Sequence, residues 1–130
     1  FQKELADRII GKFGTNKYGR LSILAGYRLN ILRRFNVSPN CFHPKPKINS
    51  TVILFQPNSL QDYKIKDIKN LEKITNIFFS NQRKMINKCV KKIFKNTQKF
   101  EMINNLNLKL RPADLKPKKY YQITELFEKI

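Results

Sequence analysis

Acidic side chains are the scarcest chemistry in this chain. Its 130 residues hold 9 Asp and Glu against 27 Lys and Arg, a net charge of +18. No close pair of carboxylates falls in a pattern suited to acid and base work. Histidine is rarer still. The one histidine, His43, has only Cys41 near it, and two ligands do not make a zinc site, so no metal is expected. The four glycines, Gly11, Gly14, Gly19 and Gly26, form neither a G-x-G-x-x-G turn nor a phosphate-cradling P-loop. The two cysteines, Cys41 and Cys89, stand far apart in no paired motif. That gives no disulfide framework and fits a reducing compartment, so a cytoplasmic location is expected. No apolar run approaches membrane-spanning length, and no signal-peptide pattern opens the chain. Residue chemistry alone therefore does not describe an enzyme.

What is abundant is positive charge, and it is spread out. Residues 1–60 carry 10 of the basic residues and 2 of the acids; residues 61–130 carry 17 and 7. This is no basic tail on a neutral domain. A field of that sign favours a polyanion, either nucleic acid or an anionic membrane surface. With 41% of residues hydrophobic, the chain can bury a core, as one domain or one domain with a small appendage.

Phe1–Ala6 reads as the tail of a strand, followed by a helix around Asp7–Gly11. Gly11–Gly19 is a glycine-punctuated basic loop. Leu21, Leu24, Ala25, Leu32 and Phe35 keep helical spacing and predict a helix over Arg20–Arg34. Phe35–Val37 is a short strand candidate. A strand over Asn49–Gln56 is stopped by Pro57, and its unbroken apolar run suggests burial on both faces. Polar residues from Pro57 to Lys66 form a connector. Beyond it the pattern turns helical, with Ile68, Leu71, Ile74, Thr75 and Phe78 on one stripe. Ser80 and Asn81 break it. A short helix is expected near Gln98–Asn104. The last helix opens on Pro117, a good first-turn residue, and carries Tyr120, Ile123, Thr124, Phe127 and Ile130 inward.

Two stretches point to nucleic acid. In Cys41–Thr51, Pro44 and Pro46 stiffen a non-helical arm that bears Phe42, Lys45 and Lys47 and enters the strand. A rigid aromatic beside lysines suits a flat base on a phosphate chain, although Phe42 taken alone fits a core position as well. In the second stretch, Ile86, Cys89, Val90, Ile93 and Phe94 take one face of a helix. Lys84, Lys88, Lys91 and Lys95 take the other. Seven basic residues and no acid lie between Arg83 and Lys99. A solvated face would explain such a stripe, but uncompensated like charges repel and favour phosphate contact. The apolar side is an ordinary core face, unlike the Trp- and Phe-rich face of a membrane-surface helix, so no membrane partner is expected.

Several local patterns now coincide in order: Phe1-Gln2-Lys3-Glu4, Asn16-Lys17-Tyr18-Gly19-Arg20-Leu21-Ser22, Phe42-His43-Pro44-Lys45-Pro46-Lys47-Ile48-Asn49-Ser50, Gln82-Arg83-Lys84 and Arg111-Pro112-Ala113-Asp114-Leu115. Over essentially all 130 residues the chain resembles the C-terminal half of the bacterial small-subunit (16S) rRNA adenine N6-dimethyltransferases. The resemblance implies an α/β fold class, the C-terminal part of a Rossmann-like methyltransferase domain followed by a small all-α domain. Residues 1–57 would be the end of the S-adenosylmethionine-dependent domain, 58–66 a linker, and 67–130 a helical rRNA-binding domain. It implies an enzyme that methylates two adjacent adenines near the 3′ end of 16S rRNA during small-subunit biogenesis. Its partners would be small-subunit rRNA and the 30S subunit, and it would act as a monomer.

By the same resemblance, Phe42 matches the position whose ring stacks on the target adenine. Lys17, Tyr18 and Arg20 match an RNA-side loop and helix start. Arg83 and Lys84 match the basic helix; the charge pattern, rather than the resemblance, adds Lys45, Lys47, Lys88, Lys91 and Lys95 as further expected RNA contacts. The S-adenosyl-L-methionine site and the Asn-Leu-Pro-Tyr motif would lie upstream of Phe1, leaving no cofactor-binding residue in this chain and the 130 residues alone inactive. Gln82 departs from the family's usual arginine. Lys45 replaces a common proline and resembles the macrolide-resistance methyltransferases of 23S rRNA, which stay as one alternative. A non-catalytic rRNA-binding module is the other.

Overall fold

The computed structural model describes residues 1–41, 49–58, 63–94 and 106–129. The chain divides into two compact units, Phe1–Gln61 and Asp62–Ile130.

The first unit sets two helices against a two-stranded antiparallel sheet. Helix α1 spans Lys3–Ile9, α2 Arg20–Arg28, strand β1 Leu29–Val37 and strand β2 Ser50–Pro57. Helix α1 starts four residues before the expected Asp7. The strand-like pairing ahead of it shrinks to a bridge between Gln2 and Ser50, flanked by Lys3 N–H donating to the Asn49 carbonyl at 3.0 Å. Ala6 and Ile23 are fully buried, with Thr51 and Ile53 under them on β2.

The helix expected over Arg20–Arg34 ends at Arg28. From Leu29 the chain runs as β1, paired with β2 from Leu29 opposite Pro57 to Val37 opposite Ser50. The register shifts between Ile31 and Arg33, leaving Leu32 as a bulge. Apart from the bulged Leu32, the residues of β1 pair with a segment far along the chain, and this tertiary gain overrides a local helical spacing. Phe35–Val37 is thus the end of a longer strand.

Strand β2 is buried on one face only. Thr51 and Ile53 point inward, while Val52 and Leu54 remain 52% and 49% exposed. Phe35, opposite Val52, is also on this outer face, with the Arg33 guanidinium 5.0 Å from its ring centre. The inner face is polar at its rim: Thr51 Oγ1 lies 3.1 Å from Asn36 Oδ1, and Arg34 donates to Asp7 at 2.6 Å.

The second unit is helical in its described residues, with α3 (Ile68–Phe79), α4 (Asn87–Ile93) and α5 (Pro117–Glu128). Asp67 caps α3 by accepting from Lys69 N–H at 3.0 Å. Leu71, Ile74 and Phe78 of α3 are fully buried and meet Tyr120 and Ile123 of α5. The Phe78 and Tyr120 rings pack edge to face, 5.4 Å between centres. The Tyr120 hydroxyl is buried and donates to the Pro112 carbonyl, pinning a 3-10 turn over Pro112–Asp114. Tyr121 joins this core, whereas Phe127 is only half-buried. Ile130 and the helix expected at 98–104 lie outside the described residues.

The connector is held by acids of α5. Glu128 accepts from Lys66 N–H at 2.8 Å, Asp67 N–H at 3.0 Å and the Asn70 amide at 2.7 Å; Glu125 accepts from Lys64 N–H at 2.7 Å.

Candidate nucleic-acid interface

The basic loop between α1 and α2 is an ordered turn. Gly11 has room for no side chain, since a Cβ there would stand 2.3 Å from the Lys17 carbonyl oxygen. Gly14 takes φ +88°, the left-handed region that glycine adopts without strain. Thr15 donates to the Lys12 carbonyl through both its N–H, at 3.1 Å, and its hydroxyl, at 2.7 Å. Ser22 then closes the start of α2, accepting from Gly19 N–H at 3.1 Å and donating to the Gly19 carbonyl at 2.9 Å. The loop is short, and its ends are locked by hydrogen bonds.

Of the residues predicted here, Arg20 is exposed at the first position of α2 and Lys17 is half-buried. Tyr18 is 8% exposed, and its ring packs edge-on against Phe13 at 5.4 Å and 85°. Little of Tyr18 is left to reach a partner. Phe13, which the sequence pattern does not single out, is 42% exposed.

Lys17 also lines an open cavity of about 360 Å³ with Gln2, Lys3, Glu4, Asp7 and Asn49. Arg34 donates to Asp7 and holds its carboxyl below the usual range, against the opposing effect of desolvation; Lys3 and Lys17 add to the lowering. The charged lining of the cavity pairs two cations, Lys3 and Lys17, with two carboxylates, Glu4 and Asp7. Phe42, Lys45 and Lys47 lie outside the described residues.

In the helical unit the lysine stripe is shorter than its spacing suggests. Helix α4 covers only Asn87–Ile93, so Lys88 and Lys91 share its exposed side with the neighbouring Lys92. Arg83 and Lys84 sit on the preceding turn, exposed but not helical. The cause is the backbone. Ile86 N–H donates to the Leu110 carbonyl at 2.8 Å, which ties it to another segment rather than to an earlier turn of helix. Lys95 lies outside the described residues. Behind the lysines, Ile86 and Val90 are fully buried and Phe94 is 4% exposed. Burial pushes the Cys89 thiol up despite Lys92, and its Sγ lies 3.6 Å from the Ile77 carbonyl; Cys89 serves packing. No described helix is long and apolar enough to cross a membrane.

The fold belongs to a class with solved members. The chain is similar to a dimethyladenosine transferase from Plasmodium falciparum, with TM-score 0.68 and 21% identity, covering 98% of this chain and 54% of that one. It is also similar to the 23S rRNA methyltransferase ErmE, with TM-score 0.60 and 14% identity, covering 98% of this chain and 52% of the other. Identities this low show the α/β methyltransferase-type fold and no more.

The family follows from sequence. Residues 1–129 match the Ribosomal RNA adenine dimethylase family, and the chain belongs to it. It is 44% identical, over 98% of its length, to Ribosomal RNA small subunit methyltransferase A of Pelagibacter ubique. It is 42% identical, over 95%, to the protein of the same name from Buchnera aphidicola subsp. Schizaphis graminum. These matches cover 48% and 44% of the two relatives, so the chain spans about half the length of the curated relatives it matches.

Proposed function

We propose that this chain is the RNA-side half of an S-adenosylmethionine-dependent enzyme that dimethylates N6 of two adjacent adenines near the 3′ end of 16S rRNA in the 30S subunit. The observation that carries the reading is the 44% identity to a small-subunit methyltransferase across 98% of the chain. The charge of +18 and the exposed Arg20, Arg83, Lys84, Lys88, Lys91 and Lys92 support it, because a phosphate backbone rewards cations spread over a surface. Residues 1–57 belong to the methyltransferase domain in this reading, and 67–130 seat the enzyme on the subunit as a cytoplasmic monomer. Lys17 and Arg20 hold RNA phosphates, and Tyr18 supports their loop from within. The arm residues Lys45 and Lys47 contact RNA, as does Lys95. Phe42 stacks on the adenine drawn out of the RNA, which keeps its ring flat while its amino group meets the methyl donor.

S-adenosylmethionine supplies the methyl group, and its site lies outside these residues. The test is calorimetry with the cofactor on the 130-residue chain and on the chain joined to the preceding half of the Pelagibacter ubique relative. Binding by the joined polypeptide alone is expected. Binding by neither, with the joined polypeptide folded, leaves a non-catalytic rRNA-binding module. In the joined polypeptide Phe42→Ala should spare RNA affinity and cut turnover; unchanged turnover removes Phe42 from the site. A 23S target draws on the likeness to ErmE, which at 14% identity speaks for fold alone.

A further inference from the structure

We propose that Glu125 and Glu128 are positioning residues for RNA binding: they hold residues 63–67 of the connector against one face of α5, so that the basic side of the helical unit reaches RNA on a short, fixed tether. This rests on the reading above, in which both units contact RNA; neither glutamate touches RNA itself. Two observations carry it.

The first is a set of contacts in matching order. Tyr121, Glu125 and Glu128 fall at i, i+4 and i+7, on one face of α5. Along that face the connector runs in the same direction. The Tyr63 ring meets Tyr121 with 6.3 Å between centres, and Lys64 N–H donates to Glu125 at 2.7 Å. Lys66 and Asp67 N–H then donate to Glu128 at 2.8 and 3.0 Å. From the first turn of α3 the Asn70 amide donates to Glu128 as well, at 2.7 Å. Hydrogen bonds to a charged carboxylate are about twice as strong as those between neutral groups.

The second is where the scarce acids are used. The chain has 9 acids against 27 basic residues, yet Glu125 and Glu128 accept from main-chain N–H groups and one amide rather than from lysine side chains. Lys64 and Lys66 are exposed while their N–H groups are tied down. A solvated linker needs no such partners, because water satisfies its backbone. The connector that reads as polar linker in sequence is thus fixed to the helical unit from Tyr63 onward. Two RNA-binding units on one chain reinforce each other only as far as the tether keeps the second near its site. Strand β2 ends at Pro57, so releasing 63–67 about doubles the stretch between it and the first residue held by the helical unit. Effective concentration falls with roughly the three-halves power of tether length, a loss of about threefold.

The test compares the 130-residue chain with its Glu125→Ala, Glu128→Ala double variant, using trypsin and two RNA partners: intact small ribosomal subunits and an RNA oligonucleotide too short to span both units. Trypsin should cut the variant faster after Lys64 and Lys66. The variant should bind subunits about threefold more weakly, with its affinity for the oligonucleotide unchanged. Glu125→Gln keeps an acceptor for Lys64 N–H and should match the parent. Glu125→Ala alone is the milder variant, and its faster cutting should be confined to Lys64. If trypsin cuts parent and variants alike, the glutamates do not hold the connector. If cutting is faster but subunit affinity is unchanged, the positioning role is wrong and the RNA-binding reading stands. Equal weakening towards both RNAs would mean damage to the helical unit itself, and would also overturn the positioning role. If the parent binds neither RNA, the broader reading fails with it.

Discussion

Gly11 and Gly14 shape the loop between α1 and α2 by different means, and each predicts its own cost. At Gly11 a Cβ collides with the Lys17 carbonyl at 2.3 Å, so Gly11→Ala must move backbone. A loss of about 1–3 kcal/mol is expected in urea denaturation, typical of overpacked backbone. At Gly14 there is space but φ is +88°, so Gly14→Ala should cost about 1 kcal/mol. Equal stabilities of Gly11→Ala and the parent would mean the loop opens freely. Asp7 and Glu128 are the other two residues with a clear assignment. Both carboxyls are held below the ordinary range. Asp7 is lowered first by the hydrogen bond from Arg34; for Glu128, burial pushes upward but the donors at Lys66, Asn70 and Asp67 outweigh it. Lowered carboxylates add stability that is complete above their unfolded values of about 4 and is lost as pH falls through the folded ones. The stability of an Asp7→Asn, Glu128→Gln double variant should therefore fall less on acidification below about pH 5 than that of the parent. Parallel acid limbs in thermal melts would contradict the assignment.

Helices α3 and α5 were legible because their apolar stripes are local: Leu71, Ile74 and Phe78, then Tyr120 and Ile123, recur at the helical period and all are buried. Strand β1 was legible only at its end, Phe35–Val37. Leu32 and Phe35 extend the spacing of Leu21, Leu24 and Ala25, and nothing within reach of that window reveals a ladder to Ser50–Pro57. For the same reason β2 read as a two-faced strand; its alternation of buried Thr51 and Ile53 with exposed Val52 and Leu54 depends on what packs against it. The basic surface was legible in composition and misjudged in extent, because the Ile86 bond to Leu110 that sets the start of α4 is non-local. Lys88, Lys91 and Lys92 form the exposed basic side of α4. Changing all three to Gln should weaken RNA binding across sequences. It should also flatten the log–log salt dependence by about 0.7–0.9 for each phosphate that is no longer neutralised. An unchanged slope would place α4 away from the RNA.

On the scale of the molecule, the charge that suits RNA coexists with an apolar outer sheet face. Phe35, Val52 and Leu54 are each close to half exposed, at 45%, 52% and 49%. A patch of this kind on a strand pair promotes association. Sedimentation velocity on the 130-residue chain should show association that rises with concentration, and a Val52→Lys, Leu54→Lys variant should reduce it with stability changed by less than about 0.5 kcal/mol. A parent that stays monomeric at every concentration would refute this. The relatives are about twice as long as this chain. The most direct measurement is methyl transfer from labelled S-adenosylmethionine to small ribosomal subunits that lack these methyl groups, using the joined polypeptide and the 130-residue chain side by side. The account predicts N6-dimethyladenine at two adjacent positions near the 3′ end of 16S rRNA with the joined polypeptide, and none with the chain alone. Label in 23S rRNA instead, or transfer by the chain alone, would contradict it.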